Sequence, residues 1–178
     1  MTAAVFLDRD GTLNRAVVRA GKPYPPASLA ELEILPGAEE ACRALKAAGY
    51  LLIGATNQPD VAKGLQTRAM VETINAEMSR RLGLDGMMVC YHDDRDACAC
   101  RKPRPGMLLE AAERHGIDLA RSYMIGDRWR DVACGQAAGC ACFFIDEGYE
   151  ETRPSPPYTP VASVREAADR ILGRRVAA

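Results

Sequence analysis

A chain of 178 residues, 48% apolar and 26% charged, is long enough to bury one core without covalent staples, and its composition is that of an ordinary globular domain. Its 23 basic and 24 acidic residues leave a formal charge of −1, which gives no electrostatic footing for nucleic acid or an anionic membrane as a partner. A small anionic substrate must therefore meet a local basic site, and the odd count of seven cysteines argues against a disulfide framework.

The first residues, Met1 to Leu7, carry no basic start and reach Asp8 before a signal-like apolar run can form. No stretch approaches the ~20 apolar residues needed to span a bilayer. A cytoplasmic protein is the expectation. The apolar run Ala3 to Leu7 reads as a buried parallel strand stopped by a carboxylate. Residues 14–36 contain several prolines and no period, and read as a long loop of the kind that carries function. Helical spacing from Gly37 to Ala48 ends at Gly49, and Tyr50 to Ala55 forms a second strand running into Thr56-Asn57-Gln58. Thr67 can N-cap a helix that reaches Leu82. Gly86 to Tyr91 is a third strand, and Pro105 to His115 a helix with proline at its start. Tyr123 to Ile125 is a fourth strand ending at Gly126-Asp127, followed by a helix over Arg130 to Ala138 and a fifth strand over Ala141 to Ile145. After Pro154, Pro156, Pro157 and Pro160, the capping box Ser163-Val164-Arg165-Glu166 opens a last helix over residues 163–174.

Strands alternating with helices predict a single α/β domain over residues 1–178, a doubly wound, mostly parallel sheet. Ligands of such sheets bind beyond the carboxyl ends of the strands. Asp8 and Asp10, Thr56 and Asn57, and Asp127 follow three of those ends, so residues distant in sequence are expected to converge there.

The residue types suit phosphoryl transfer, which needs a nucleophile, an acid for the leaving oxygen and cations to offset the phosphoryl charge. Asp8, fixed at a strand end, is the expected nucleophile. Asp10, two residues on and turned by Gly11, is the expected acid and base. Mg²⁺ is expected on Asp8, Asp10 and Asp127, one of the oxygens being a backbone carbonyl. Thr56 and Asn57 can bind the phosphoryl oxygens, and Lys102 can supply a fixed positive charge. Aspartate followed by glycine is usually no more than a turn, so the case rests on the combination and not on one motif.

This arrangement resembles the haloacid dehalogenase-like superfamily of phosphatases. Asp8-Arg9-Asp10-Gly11-Thr12 matches its DxDGT motif, Thr56 its strand-ending Thr or Ser, Lys102 its lysine before a helix, and Gly126 to Asp131 its GDxxxD. The matches run in family order from residue 5 to about residue 147.

Cys90-Tyr91-His92 and Cys98-Ala99-Cys100 give four soft ligands around a short polar loop, Asp93 to Ala97. A Cys₃His set of this kind makes a closed, structural zinc site, here a loop spanning residues 90–100. Together with Arg101-Lys102-Pro103 and Pro105-Gly106-Met107, the loop looks like that of the D-glycero-D-manno-heptose-1,7-bisphosphate 7-phosphatases, to which the histidinol-phosphate phosphatases are close relatives. That resemblance implies a minimal cap, a small phosphorylated sugar as substrate, and Arg101 holding the sugar or its second phosphate. It departs at Pro59-Asp60-Val61-Ala62-Lys63-Gly64, where those enzymes have Ser-Gly-Ile-Ala-Arg-Gly, which bears on the substrate and not on the chemistry. An open, capless site suggests a monomer.

Histidinol phosphate or another small phosphomonoester is an alternative substrate. Two alternatives lie in other classes. A phospho-accepting receiver domain also uses a strand-ending Asp, Mg²⁺, Thr and Lys, but lacks an Asp10 poised to activate water. A zinc-stabilised binding module would have no reason to keep Asp8, Asp10, Lys102 and Asp127 together. Cys42, Cys134, Cys140 and Cys142 read as buried thiols, and His115 as a complement to a helix C-terminus. Arg128 and Arg130 read as solvated or paired with Asp131, and Trp129 as core or pocket wall. Arg15, Lys22 and Tyr24 are candidates to shape the pocket.

Overall fold

The structure, a computed structural model, describes residues 1–173, so the expected helix end at residue 174 lies outside the described residues. Strand β1 (Ala4–Leu7) is buried along its whole length. A small antiparallel ribbon, β2 (Val17–Arg19) and β3 (Lys22–Tyr24), and a 3₁₀ turn (Leu29–Glu31) precede helix α1 (Ala38–Ala47). The chain continues through β4 (Leu51–Asn57), α2 (Arg68–Leu82), β5 (Gly86–Cys90) and α3 (Gly106–His115). Then come β6 (Tyr123–Gly126), α4 (Trp129–Ala138), β7 (Ala141–Ile145), β8 (Thr159–Val161) and α5 (Val164–Ile171).

Six strands form one sheet in the order β5-β4-β1-β6-β7-β8, and every neighbouring pair is parallel. The period of two along β1 divides its side chains between two cores. Val5 and Leu7 pack with Ala41 and Leu45 of α1, Ile74 of α2 and Ala167 of α5. Ala4 and Phe6 face the other way, onto Leu108 of α3 and Val132 of α4. The chain winds outward from β1 through β4 to β5, then crosses back to β6 and winds the other way. The switch in strand order therefore falls beside β1, where such folds open a crevice. Asp8 is the first residue beyond it.

Two expectations need correcting, both for the same reason. Residues 14–36 are not one loop: they hold the β2–β3 ribbon, the 3₁₀ turn and a bridge between Asn14 and Ile34. The Pro-rich stretch before α5 contains the sixth strand, β8. Pro23 and Pro160 each lie inside a three-residue strand. Proline cannot donate to a ladder and is tolerated only at edges, so in sequence it hides edge strands.

Local capping is as expected for α2, where the Thr67 hydroxyl accepts the Met70 N–H at 3.2 Å. Thr67→Ala is expected to cost about 1 kcal/mol, read as a lower urea midpoint with unchanged slope. The α5 box is modified. Ser163 Oγ accepts from the Glu166 N–H at 3.2 Å, but Glu166 reaches back to the Ala162 N–H, at 2.8 Å. Cys42, Cys134, Cys140 and Cys142 are all buried thiols. Burial pushes Cys42, Cys134 and Cys140 up to about 12 and Cys142 to about 11.

Candidate active site

The carboxyl ends of β1, β4 and β6 bring Asp8, Thr56, Asn57 and Asp127 to one edge of the sheet, beside Lys102 from the segment leading into α3. Lys102 is the hub. Its ammonium donates to Asp8 Oδ1 at 2.6 Å, Asp131 Oδ1 at 2.6 Å and the Ala55 carbonyl at 2.7 Å. Those three acceptors use all of its protons. Burial works against the charge, but Asp131 and Asp8 outweigh it and hold the ammonium above its ordinary range. The peptide of Lys102 is gripped as well. Asn57 Nδ2 donates to the Lys102 carbonyl at 3.1 Å, and Asn57 Oδ1 accepts the Lys102 N–H at 3.0 Å. Both ends of the Asn57 side chain are thus engaged with Lys102, which leaves one amide N–H and the Asn57 backbone toward the cleft.

Asp8, Asp127 and Asp131 are buried, with carboxylate oxygens that all lie within 4.8 Å of one another. Asp127 is held well above the usual carboxylate range, by burial first and then by the charges of Asp8 and Asp131. Asp131 is pushed up to about 6, by burial and by Asp8, against the pull of Lys102. Asp131 spends one oxygen on Lys102 and the other on the Arg128 N–H at 3.0 Å. Its carboxylate packs so tightly that a Cβ on Gly126 would stand 2.3 Å from the Asp131 Cβ. Asp127 is different. One oxygen faces the Thr12 hydroxyl at 3.4 Å, and the other, Oδ2, is buried with no hydrogen-bond partner. Gly11, with φ of +90°, closes over that oxygen so nearly that a Cβ would sit 1.9 Å from it. Crowded carboxylates with one orphaned oxygen, all hard oxygen donors, fit a divalent cation such as Mg²⁺. Asp8 and Asp127 have oxygens to offer it. Asp131 does not.

Asp10 stands outside this cluster. The Arg9 guanidinium, fully buried, donates to the Asp10 carboxylate from Nε and Nη2 at 2.9–3.1 Å. Asn14 Nδ2 donates at 3.0 Å and Gln58 Nε2 at 2.8 Å. Arg9 is itself anchored by Asn75 Oδ1 at 2.9 Å, and Gln58 also reaches the Thr56 hydroxyl at 2.9 Å. The Asp10 side chain is therefore filled by donors and does not join Asp8 and Asp127 as a carboxylate ligand. Sequence reasoning passed over Arg9, Gln58 and Asn75. A buried arginine between two motif aspartates leaves no periodic signal. Tyr149, after β7, was missed too; burial and then the Asp127 charge raise its phenol.

The four soft ligands do come together. Cys90 Sγ lies 3.7 Å from Cys98 Sγ and 3.1 Å from Cys100 Sγ, Cys98 and Cys100 are 3.5 Å apart, and His92 Nδ1 is 3.6 Å from Cys90 and 3.3 Å from Cys100. The edge of a tetrahedron with metal–sulfur bonds of ~2.3 Å is about 3.8 Å, so the cluster is close to the size of a zinc site. Burial pushes the Cys98 thiol up, but the Arg101 N–H and the Cys100 and Cys90 thiols outweigh it and bring it to about 7, toward the thiolate a metal needs.

A cleft of about 340 Å³ opens above Asp8, Asp10 and Thr56, with Lys22 and Tyr24 of the β2–β3 ribbon on one wall. Arg15 takes no part; it pairs with Glu33 at 2.8 Å on the exposed surface. Neither the Arg128 nor the Arg130 guanidinium pairs with Asp131, which takes from these two residues only the Arg128 backbone N–H. Arg128 donates to Glu151 at 3.0 Å, and Arg130 faces Asp94 at 3.6 Å while lying over the Trp129 ring. No helix among the described residues is long and apolar enough to cross a membrane.

Comparison with known proteins matches residues 99–169 to the HAD-hydrolase-like family model. The D-glycero-beta-D-manno-heptose-1,7-bisphosphate 7-phosphatase of Escherichia coli K12 is 37% identical over 181 residues, 95% of this chain and 87% of that protein. The protein of the same name from Bordetella bronchiseptica is 36% identical over 152 residues, 81% of this chain and 80% of that one. A crystal structure of D,D-heptose 1,7-bisphosphate phosphatase from B. bronchiseptica, complexed with magnesium and phosphate, superposes with a TM-score of 0.81 at 30% identity, covering 97% of this chain and 99% of that one.

Proposed function

The chain belongs to the heptose-1,7-bisphosphate 7-phosphatase family of haloacid dehalogenase-like hydrolases, and we propose that it removes the 7-phosphate of D-glycero-D-manno-heptose 1,7-bisphosphate, releasing heptose 1-phosphate. What carries this reading is the buried Asp8–Lys102–Asp131 arrangement beside an orphaned Asp127 oxygen, set at the strand switch of a chain this similar to those enzymes.

Asp8 attacks phosphorus in line and takes the phosphoryl group as an acyl phosphate. Lys102 fixes the Asp8 carboxylate for that attack, and Asn57 and Asp131 fix Lys102. Asp10 gives a proton to the leaving sugar oxygen, then takes one from the water that hydrolyses the acyl phosphate. The donors around Asp10, above all Arg9, fix the orientation of its carboxylate. The Thr56 hydroxyl and the Asn57 backbone face the phosphoryl oxygens. Asp8, Asp127 and the Asp10 backbone carbonyl would hold Mg²⁺, which when bound would supply positive charge against the dianionic phosphate. Cys90, His92, Cys98 and Cys100 would hold Zn²⁺, which would keep the loop that ends in Arg101 and Lys102 in place.

The deciding experiment measures phosphate release from heptose 1,7-bisphosphate, histidinol phosphate and p-nitrophenyl phosphate, each with and without Mg²⁺. The heptose compound is expected to give the highest kcat/KM, and only with the metal. Hydrolysis no faster than that of the nitrophenyl ester would refute the substrate assignment. Stripping zinc with a thiol-reactive agent and chelator, followed by Mg²⁺ alone, is expected to leave under about a tenth of the turnover, since the segment carrying Lys102 loses its tether. Full activity in a zinc-free sample, verified by metal analysis, contradicts that.

A further inference from the structure

One neighbour of Asp127 lies outside every motif of the chain. Tyr149 follows β7, and its hydroxyl stands where the Gly11 turn meets the Asp127 carboxylate. A Cβ on Gly11 would lie 1.9 Å from Asp127 Oδ2 and 2.7 Å from Tyr149 Oη. The phenol oxygen and the orphaned carboxylate oxygen are therefore close neighbours across the bare α-carbon of Gly11. Asp127 and Tyr149 also share the wall of a small cavity of about 20 Å³ that neither Asp8 nor Lys102 reaches. Tyr149 lines that cavity and not the cleft, so it meets Asp127 from behind.

The segment that carries Tyr149 is fixed at several points. Gly148, with φ of +72°, turns the chain after β7, and its N–H donates to Asp146 Oδ1 at 3.0 Å. Asp146 in turn pairs with Arg153. The Glu150 N–H donates to the Gly21 carbonyl at 3.2 Å, at the turn of the β2–β3 ribbon. Glu151 accepts from the guanidinium of Arg128, the residue directly after Asp127, at 3.0 Å. That last bridge ties the chain just past Asp127 to the chain just past Tyr149. A phenol tethered on both sides is held against one carboxylate.

The geometry points to Tyr149 as the positioning residue of Asp127: its O–H braces the carboxylate from behind and fixes the orientation in which that acid meets a divalent cation. A carboxylate oxygen has two lone-pair sites, so one can take the phenol O–H while another serves the ion. Carboxylates that hold metals are hydrogen-bonded in their turn, and losing such a partner typically costs about 10- to 100-fold in metal affinity. Thr12 alone is a weak brace, since its hydroxyl stands 3.4 Å from Asp127 Oδ1. This rests on the Mg²⁺-dependent reading above and adds a determinant of how tightly the ion is held.

The full chain, loaded with Zn²⁺ and freed of Mg²⁺ by gel filtration, is titrated with Mg²⁺ alone and melted at each concentration. For Tyr149→Phe, the Mg²⁺ concentration that gives half the maximal stabilisation is expected to rise about 10- to 100-fold, with a Mg²⁺-free melt close to that of the wild type. Titration with Mn²⁺ in the cold, read from the EPR signal of the free ion, should show the same weakening. It uses protein that has not been heated, so a less stable variant is still tested. Tyr149→Leu, which removes the ring as well, is expected to lower the Mg²⁺-free melt but to weaken the ion no more than Phe does. If Tyr149→Phe stays within twofold of the wild type in both titrations, the brace is wrong while the function stands. Weakening with Leu alone overturns it too, since that effect belongs to ring packing. If the wild type neither gains stability from Mg²⁺ nor binds Mn²⁺, the metal-dependent reading itself fails and the brace goes with it.

Discussion

Asp8→Asn is expected to lower steady-state phosphate release by at least about 10⁴-fold, and no hydroxylamine-sensitive phosphoenzyme should form on it. The amide has the size of the carboxylate but no anionic oxygen to attack phosphorus. It also removes one of the two charges that Lys102 sits between, leaving the ammonium on Asp131 and the Ala55 carbonyl. The fold should survive, because one less negative charge beside Asp127 and Asp131 relieves repulsion that the structure otherwise sustains. Rapid quenching with the wild type is the positive control. Turnover within tenfold of wild type, in protein whose purity excludes contaminating phosphatase, would mean the nucleophile lies elsewhere.

The second large effect belongs to Asp127, and it has opposite signs in activity and stability. Asp127→Asn is expected to reduce turnover at least about 10³-fold and to abolish thermal stabilisation by millimolar Mg²⁺. In EDTA, however, the variant should melt above the wild type at pH 8. A carboxyl held above its unfolded value of ~3.9 binds its proton more tightly in the folded state, so the folded state loses stability as pH rises between the two values. Asp127 and Asp131 are both shifted in that direction, Asp131 to about 6. Metal-free wild type should therefore lose stability from pH 5 to pH 8. The variant should lose much less, having shed the more crowded of the two acids. Scanning fluorimetry across that range, with EDTA or with Mg²⁺, reads both effects. Equal pH slopes for the two proteins would show that Asp127 is not the strained acid.

Much of this architecture could be read from residue order. Runs such as Ala3 to Leu7 and Ala141 to Ile145 are apolar throughout because parallel strands are covered on both faces, and they end where polar residues take over. Side-chain chemistry at the strand ends, and before α3, then names Asp8, Thr56, Asp127 and Lys102 without geometry. What stayed hidden depends on contacts that sequence does not encode locally. Residue type marks Asn57 as a cleft residue, while its grip on a peptide 45 residues away is visible only in the structure. Asp10 was grouped with the metal carboxylates, yet Arg9, Asn14 and Gln58 turn its side chain elsewhere. Asp131 looked like a partner for arginines and is instead the second anchor of Lys102. In each case the residue type was informative and its partner was not, because long-range pairing is decided by the packing of α4, β4 and the segment before α3.

The sheet also has an outer border with its own consequence. A parallel sheet normally ends in a row of unpaired backbone groups that invite another chain to continue the ladder. Here the border beyond β7 is β8, three residues long, with Pro160 at its centre. A strand that short, missing a donor in its middle, is a poor template for intermolecular pairing. The proline that concealed this strand from the sequence thus also blunts this border of the sheet against another chain.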